Sequence, residues 1–179
     1  GGFYTDDTTD RDLLPLTDDV VAQHLVGTTT TGKELHVGLY PMLRDDTCRL
    51  IACDFDKSDW QSDAAAFATA CARHRIPHTV EISRSGSGAH VWIFFTDPVP
   101  AATARQLVTA LVREAIAIRG RMDLRCYDRL FPSQDVLPGQ GPGNLIAAPL
   151  HGKSRKLGTT VFLDLATLQN MEMIDDRTG

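Results

Sequence analysis

No apolar run in this 179-residue chain approaches the ~20 residues that a membrane-spanning helix needs, so no membrane span or membrane partner is expected. The opening stretch, GGFYTDDTTDRD, is polar and acidic and lacks the apolar centre of a secretory signal, which makes a cytoplasmic location the expectation. The four cysteines, Cys48, Cys53, Cys71 and Cys126, form no C-x-x-C pair, so neither a zinc knuckle nor any zinc is expected in this domain. Cys53, Cys71 and Cys126 sit in apolar or helical contexts and read as buried thiols. Internal repeats, low-complexity tracts and clear linkers are also missing, and residues 1–179 read as one domain with two intimate halves. An excess of basic charge is lacking too. The net charge of -5 argues against indiscriminate nucleic-acid binding.

The charge is unevenly spread. Residues 1–63 hold 13 acids and 5 bases, whereas residues 64–179 hold 10 acids and 13 bases. An acidic first third beside a mildly basic remainder suits a metal centre next to a phosphate-binding surface, and it equally suits a solvated surface with chance clustering.

Patterning gives a coarse element order. Residues 17–26 (TDDVVAQHLV) predict a helix that Thr17 can cap, with Asp18 and Asp19 at its positive end. Residues 35–40 and 49–56 predict strands, and the alanine-rich 62–75 predicts a helix ending in bases. Residues 79–83 and 90–95, rich in Val, Ile, Trp and Phe, predict two strands of an antiparallel hairpin. Pro100 opens a second long helix to about Arg119, with Leu107, Leu111, Ala115 and Ile118 on one face. Residues 144–148 and 160–163 are the last predicted strands. The class is α+β: a mixed, largely antiparallel sheet with flanking helices.

Three places could carry chemistry. Asp54-Phe55-Asp56 ends an apolar strand, where alternation points both carboxylates one way and Phe55 the other. Carboxylates so spaced can grip Mg²⁺ or Mn²⁺, and a pair of such ions can activate a 3′-hydroxyl and stabilise leaving pyrophosphate; an ordinary strand end running into a polar loop looks the same. Arg84-Ser85-Gly86-Ser87-Gly88-Ala89-His90 joins the hairpin strands. Its glycines free backbone N–H groups for an anion, its serines add hydroxyls, Arg84 adds charge, and the ring of His90 can donate to a triphosphate oxygen. It is no Walker loop, because it has no Gly-Lys-Ser/Thr and a strand follows it. In the stretch 127–135 (YDRLFPSQD) a third carboxylate could complete a metal cage. Asp135 is the first choice, as it precedes the loop into an apolar strand, and Asp128 is the alternative, with a salt bridge to Arg125 or Arg129 as its plain reading. The turn 151–156 (HGKSRK) offers Lys153 and Arg155 to phosphates. Arg119, Arg121, Arg125 and Arg129 make a looser basic stretch and a possible template face. Trp60 and Trp92 read as packing residues, and His24, His36, His74 and His78 show no metal-ligand spacing.

Taken in order, Ile51–Asp56 as an apolar-D-x-D strand, Gly88-Ala89-His90 as a small-x-His strand start, and Gln134-Asp135 resemble the motifs of the archaeo-eukaryotic primase superfamily. The phrases DFDKSDW, EISRSGSGAHVWIFF, YDRLFPSQD and GNLIAAPL resemble the primase module of TOTE conflict systems and of CRISPR-associated primase-polymerases, across about residues 24–164. The resemblance implies a helix-and-strand half and a modified RNA-recognition-like half that holds the metals. It implies Asp54, Asp56 and a third acid as ligands of two Mg²⁺ or Mn²⁺ ions, and His90 as a catalytic contact to the incoming triphosphate. Arg84, Ser85, Ser87, Gly88, Lys153 and Arg155 are the expected nucleotide-binding residues beside it. The implied activity is template-dependent nucleotidyl transfer, with a DNA template, a primer and nucleoside triphosphates as partners in the nucleoid. Helicase, nuclease or CRISPR adaptation proteins would be neighbours in the full system. Gln134 makes the third motif less apolar than its general form. A metal nuclease, a D-x-D transferase acting on sugar nucleotides, and a non-catalytic nucleotide or template sensor are the rival readings. Acids facing phosphate without a metal would repel it, which counts against the sensor.

Overall fold

The computed structural model describes residues 3–4, 14–56, 58–120, 129–137, 143–168 and 170. Two short strands, β1 (Phe3–Tyr4) and β2 (Leu14–Pro15), pair with one another ahead of helix α1 (Asp18–Val26). Thr17 caps α1 by accepting the N–H of Val20 at 3.3 Å, and Gly27 ends it in the left-handed region at φ 90°, as an αL cap requires. Strands β3 (Gly38–Leu39) and β4 (Thr47–Phe55) follow, then α2 (Trp60–Arg73), β5 (Thr79–Ile82), β6 (Ala89–Pro100) and α3 (Ala101–Arg119). The order closes with β7 (Leu130–Phe131), β8 (Ile146–Ala147), the short α4 (Gly152–Arg155) and β9 (Phe162–Leu163).

From β4 to β7 the chain runs strand-helix-strand-strand-helix-strand. The sheet order β7-β4-β6-β5-β9 puts the first and third of these strands at its centre, the arrangement of a split βαβ fold. Each pairing in this sheet is antiparallel. The α+β expectation, with helices flanking a largely antiparallel sheet, is thereby met.

Strand alternation divides the two faces. Ile51, Cys53 and Phe55 of β4, Val91 and Ile93 of β6 and Val80 of β5 pack against α2 and α3 in one core. Alanines at 64, 65, 66, 68 and 70 keep α2 slim, so Phe67 and Cys71 reach the sheet without crowding and the α3 face of Ala104, Val108, Leu111 and Ala115 comes close. On the other face Ala52 and Trp92 pack with Ile146, flanked by Leu39, Leu50 and Phe131; the β3–β8 pair covers this part of the sheet. Both tryptophans are buried, as expected. Cys48, Cys53 and Cys71 are buried free thiols, with Cys48 and Cys71 pushed up to about 11 and about 12 by burial. Cys126 lies outside the described residues.

Three predicted strands are shorter than expected, each for a local reason. In the stretch 35–40 the N–H of Val37 goes to Nδ1 of His24 at 3.1 Å rather than to a ladder, leaving only Gly38–Leu39 paired with β8. Asn144 spends its side chain on Ser133 N–H and the Leu130 carbonyl, so β8 starts at Ile146. Thr160 sits at φ 54°, which no strand accommodates, and β9 starts at Phe162.

His24 couples α1 to the rest of the fold. Its Nδ1 accepts from Val37, and its Nε2–H donates to the Pro149 carbonyl at 2.9 Å, which only the neutral ring can do. Burial is the largest effect lowering its pKa, and burial together with His36 and His24 lowers that of His151 to about 4. The unfolded chain therefore takes up these protons first as the pH falls below ~6.5, so stability is full above that pH and declines toward pH 4. Urea midpoints measured in chelating buffer should be level between pH 8 and 7 and fall steadily from pH 6.5 to 5, above the carboxylate range. A level midpoint down to pH 5 would contradict this account of the histidines.

Candidate functional site

The face of the sheet opposite the helices gathers the polar residues. In the β4–β6 register Asp54 lies opposite His90, and in the β5–β6 register Glu81 lies opposite His90 from the other side. His90 Nε2 is 3.7 Å from Asp54 Oδ1, and its Nδ1 is 3.0 Å from Glu81 Oε2. The same Glu81 oxygen accepts the indole N–H of Trp92 at 2.8 Å. Glu81 is a fully buried carboxylate with two donors that define where His90 stands. The imidazole also meets Trp92 edge-on, with centroids 5.9 Å apart.

Asp56 follows β4 on the side of Asp54, while Phe55 turns into the helical core against Phe67. One guanidinium, that of Arg129 just before β7, reaches both acids, contacting Asp56 and lying 3.5 Å from Asp54 Oδ2. Burial raises the pKa of Asp54 and neighbouring Asp56 adds to it, while His90 and Arg129 oppose the rise. The alternation expected of D-x-D is thus what the structure has.

The hairpin turn lies against the acid strand. Gly88 packs so tightly that a Cβ there would sit 2.7 Å from the Phe55 carbonyl oxygen and 3.3 Å from Asp56 Cα. Gly86 turns at φ 76°, Ser85 Oγ accepts the N–H of Ser87 at 3.1 Å, and it shares a hydrogen bond with Ser83 at 3.0 Å. Arg84 and Lys153, distant in sequence, meet at one carboxylate: Arg84 is 3.8 Å from Glu34 Oε1 and Lys153 is 3.4 Å from Glu34 Oε2. Arg155 donates to the Leu25 carbonyl at 3.2 Å, at the end of α1.

Asp135 is engaged with α3. It is exposed and holds Arg105 of α3, with Oδ1 2.7 Å from Nε, while the same arginine donates to the Ser133 carbonyl. Asp54, Asp56 and Asp135 do not bring donor atoms within 4.8 Å of one another; among the described residues Glu34, His36 and His151 do. Asp128, the alternative third acid, lies outside the described residues, as do Arg121 and Arg125 of the basic stretch. Arg119 is held in ion pairs with Asp59 and Asp63, both at 3.3 Å.

Sequence reasoning missed Glu81 and the two-acid reach of Arg129. Glu81 was within reach of it: counting back from the hydrogen bond of the Ser83 N–H to the Gly88 carbonyl, which closes the turn, pairs residue 81 with residue 90. It also passed over Phe94, which shares the His90 and Trp92 face, lies parallel to the Trp92 ring at 6.1 Å and is 54% exposed.

The family model described as TOTE conflict system, Archaeo-Eukaryotic Primase domain matches residues 2–177. No curated protein matches the chain.

Glu81 gives the geometry a direct check. Truncation in Glu81→Ala leaves the Trp92 N–H and the His90 Nδ1 buried without a partner, and should cost about 2–3 kcal/mol in urea unfolding. Glu81→Gln keeps an acceptor for Trp92 and should lose less than half of that. Equal losses in the two variants would mean that the side chain contributes only volume.

Proposed function

Because the chain belongs to the archaeo-eukaryotic primase domain family of TOTE conflict systems, we propose that it is a primase-polymerase. It adds nucleoside triphosphates to a primer, or starts a new strand, on a DNA template. The family implies a primase-like nucleotidyltransferase role, nucleotide and nucleic-acid substrates, and divalent metals. The observation that carries the finer reading is the convergence of Asp54, Asp56 and His90 at the meeting of β4 and β6, against the glycine turn.

The acid pair fits divalent ions. A single cationic group already bridges Asp54 and Asp56, and Asp54 holds its proton more firmly than an ordinary carboxyl because it is desolvated beside a like charge. An all-oxygen donor set of this kind suits Mg²⁺ or Mn²⁺. When bound, two such ions would lower the pKa of the primer hydroxyl and neutralise charge at the α-phosphate and the leaving pyrophosphate. Asp54 and Asp56 would hold them with a third acid, either Asp135 freed from Arg105 or Asp128, the residue before Arg129.

The remaining groups position the triphosphate. With its Nδ1 turned to Glu81, His90 presents Nε2 toward Asp54, where a protonated ring would give a phosphate oxygen an N–H. Gly88 brings the turn against Asp56, and Ser85, Ser87 and Arg84 of that turn would serve the triphosphate. Lys153 and Arg155 add positive charge from α4. Phe94 offers an exposed ring on the same sheet face for a template base to stack on. The chain acts as one catalytic domain, in the cytoplasm at the nucleoid, and helicase, nuclease or CRISPR adaptation proteins are the neighbours it would have in a complete system.

The test is incorporation of labelled nucleotides on single-stranded DNA, with and without primer, in Mg²⁺ or Mn²⁺. Template-dependent products are expected from the native chain. The double variant Asp54→Ala/Asp56→Ala should fall to background with an unchanged circular dichroism spectrum. Full incorporation by that variant, or products that ignore the template, would sink the proposal; shortening of the labelled DNA would mark a nuclease instead.

A further inference from the structure

We propose that Glu34, His36 and His151 form a second metal site, separate from the acid pair, that takes a divalent transition ion of the zinc class. The three residues come from the loop after α1, the approach to β3, and the residue capping α4. Each offers a donor atom, and the three atoms lie within 4.8 Å of one another. His36 Nε2 already sits 2.6 Å from Glu34 Oε1, and the His36 and His151 rings stack with centroids 3.6 Å apart.

His151 supplies the independent observation. It is 1% exposed, and its Nε2 is buried with no well-formed hydrogen bond, the Gly27 backbone being its polar neighbour. A buried ring nitrogen left unpaired is costly, and native structures seldom keep one without a use. The other nitrogen, Nδ1, lies 2.9 Å from Ser154 Oγ. Nδ1 also accepts the Ser154 N–H in a long 3.4 Å cap of α4; turning Nδ1–H to the Ser154 hydroxyl gives up that contact and leaves on Nε2 the lone pair that a metal-binding histidine needs, with Ser154 as the outer partner that orients the ring.

The neighbours define the ligand set. His24 packs 5.4 Å from His151 but spends both ring nitrogens on Val37 and Pro149, so it is a wall and not a ligand. Arg84 and Lys153 hold Glu34 from outside. Two imidazoles and one carboxylate suit Zn²⁺, Co²⁺ or Ni²⁺ better than Mg²⁺, and three protein ligands leave a position for water. Bringing the three atoms to ligand distances of ~2.0–2.2 Å asks the half-buried His36 ring to turn out of its stack on His151. An ion here would pin the 27–37 loop to the residue that opens α4, and so fix the turn that carries Lys153 and Arg155. The sequence shows no ligand spacing because Glu34-x-His36 and His151 meet only in the fold.

The test uses the full chain stripped by chelator, without nucleotide, so its outcome is independent of the polymerase proposal. Zn²⁺ titration by calorimetry should show one equivalent bound in the native chain and still one in Asp54→Ala/Asp56→Ala. His36→Ala and Glu34→Gln should each weaken that equivalent by at least about tenfold. Zn²⁺ should raise the unfolding midpoint of the native chain and leave that of His36→Ala in place, the two midpoints agreeing in metal-free buffer. Loss of the equivalent in the Asp54/Asp56 double variant, or native-like Zn²⁺ affinity in His36→Ala, would overturn the inference.

Discussion

The antiparallel register between β4 and β6 sets most of what surrounds the site. Sliding β6 by one residue against β4 would send His90 into the helical core and bring Val91 to the face of Asp54. Burial on the core side forbids this, because Ile51, Cys53, Phe55, Val91 and Ile93 are all enclosed by α2 and α3. The polar face is thus positioned by apolar packing on the opposite side of the same two strands. Glu81 then acts on a sheet already in register, and its carboxylate ties β5 to β6 through His90 and Trp92.

The second half of the molecule brings up its basic groups through a different contact. The β3–β8 pair lies over Ala52 and Trp92, and α4 follows β8 within a few residues. His151 caps α4, Arg155 reaches back to the last turn of α1, and Lys153 meets Glu34. Cations at 84 and 153 therefore stand near each other through a shared carboxylate, not through sequence proximity.

What could be read in the chain follows from periodicity and local caps. The spacing of Asp54, Phe55 and Asp56 needed only a period of two, Thr17 needed only the backbone N–H of Val20, and the alanine-rich α2 needed only its propensity. Contacts fixed by chain folding left no local mark. Val37 is held by His24 and not by a strand, Asp135 by Arg105, and His151 meets His36 across most of the chain. Glu81 lies between these cases, since a hairpin register is legible once the turn is placed. The primase resemblance drawn from four phrases at 24–164 agrees with a family match over 2–177.

Arg129 has a consequence for how ions arrive. Its guanidinium spans both carboxylates, so the acid pair is already partly neutralised, and a divalent ion taken up there as proposed would exchange with a tethered charge. Occupancy of the proposed centre would then be a competition with a fixed effective concentration of guanidinium, raising the free ion level needed for half-saturation. Because Arg129 directly precedes β7, the strand at that edge of the sheet, displacing it frees a group beside the seam where β7 meets β4. Ion entry at the proposed centre would thereby be linked to the placement of that edge.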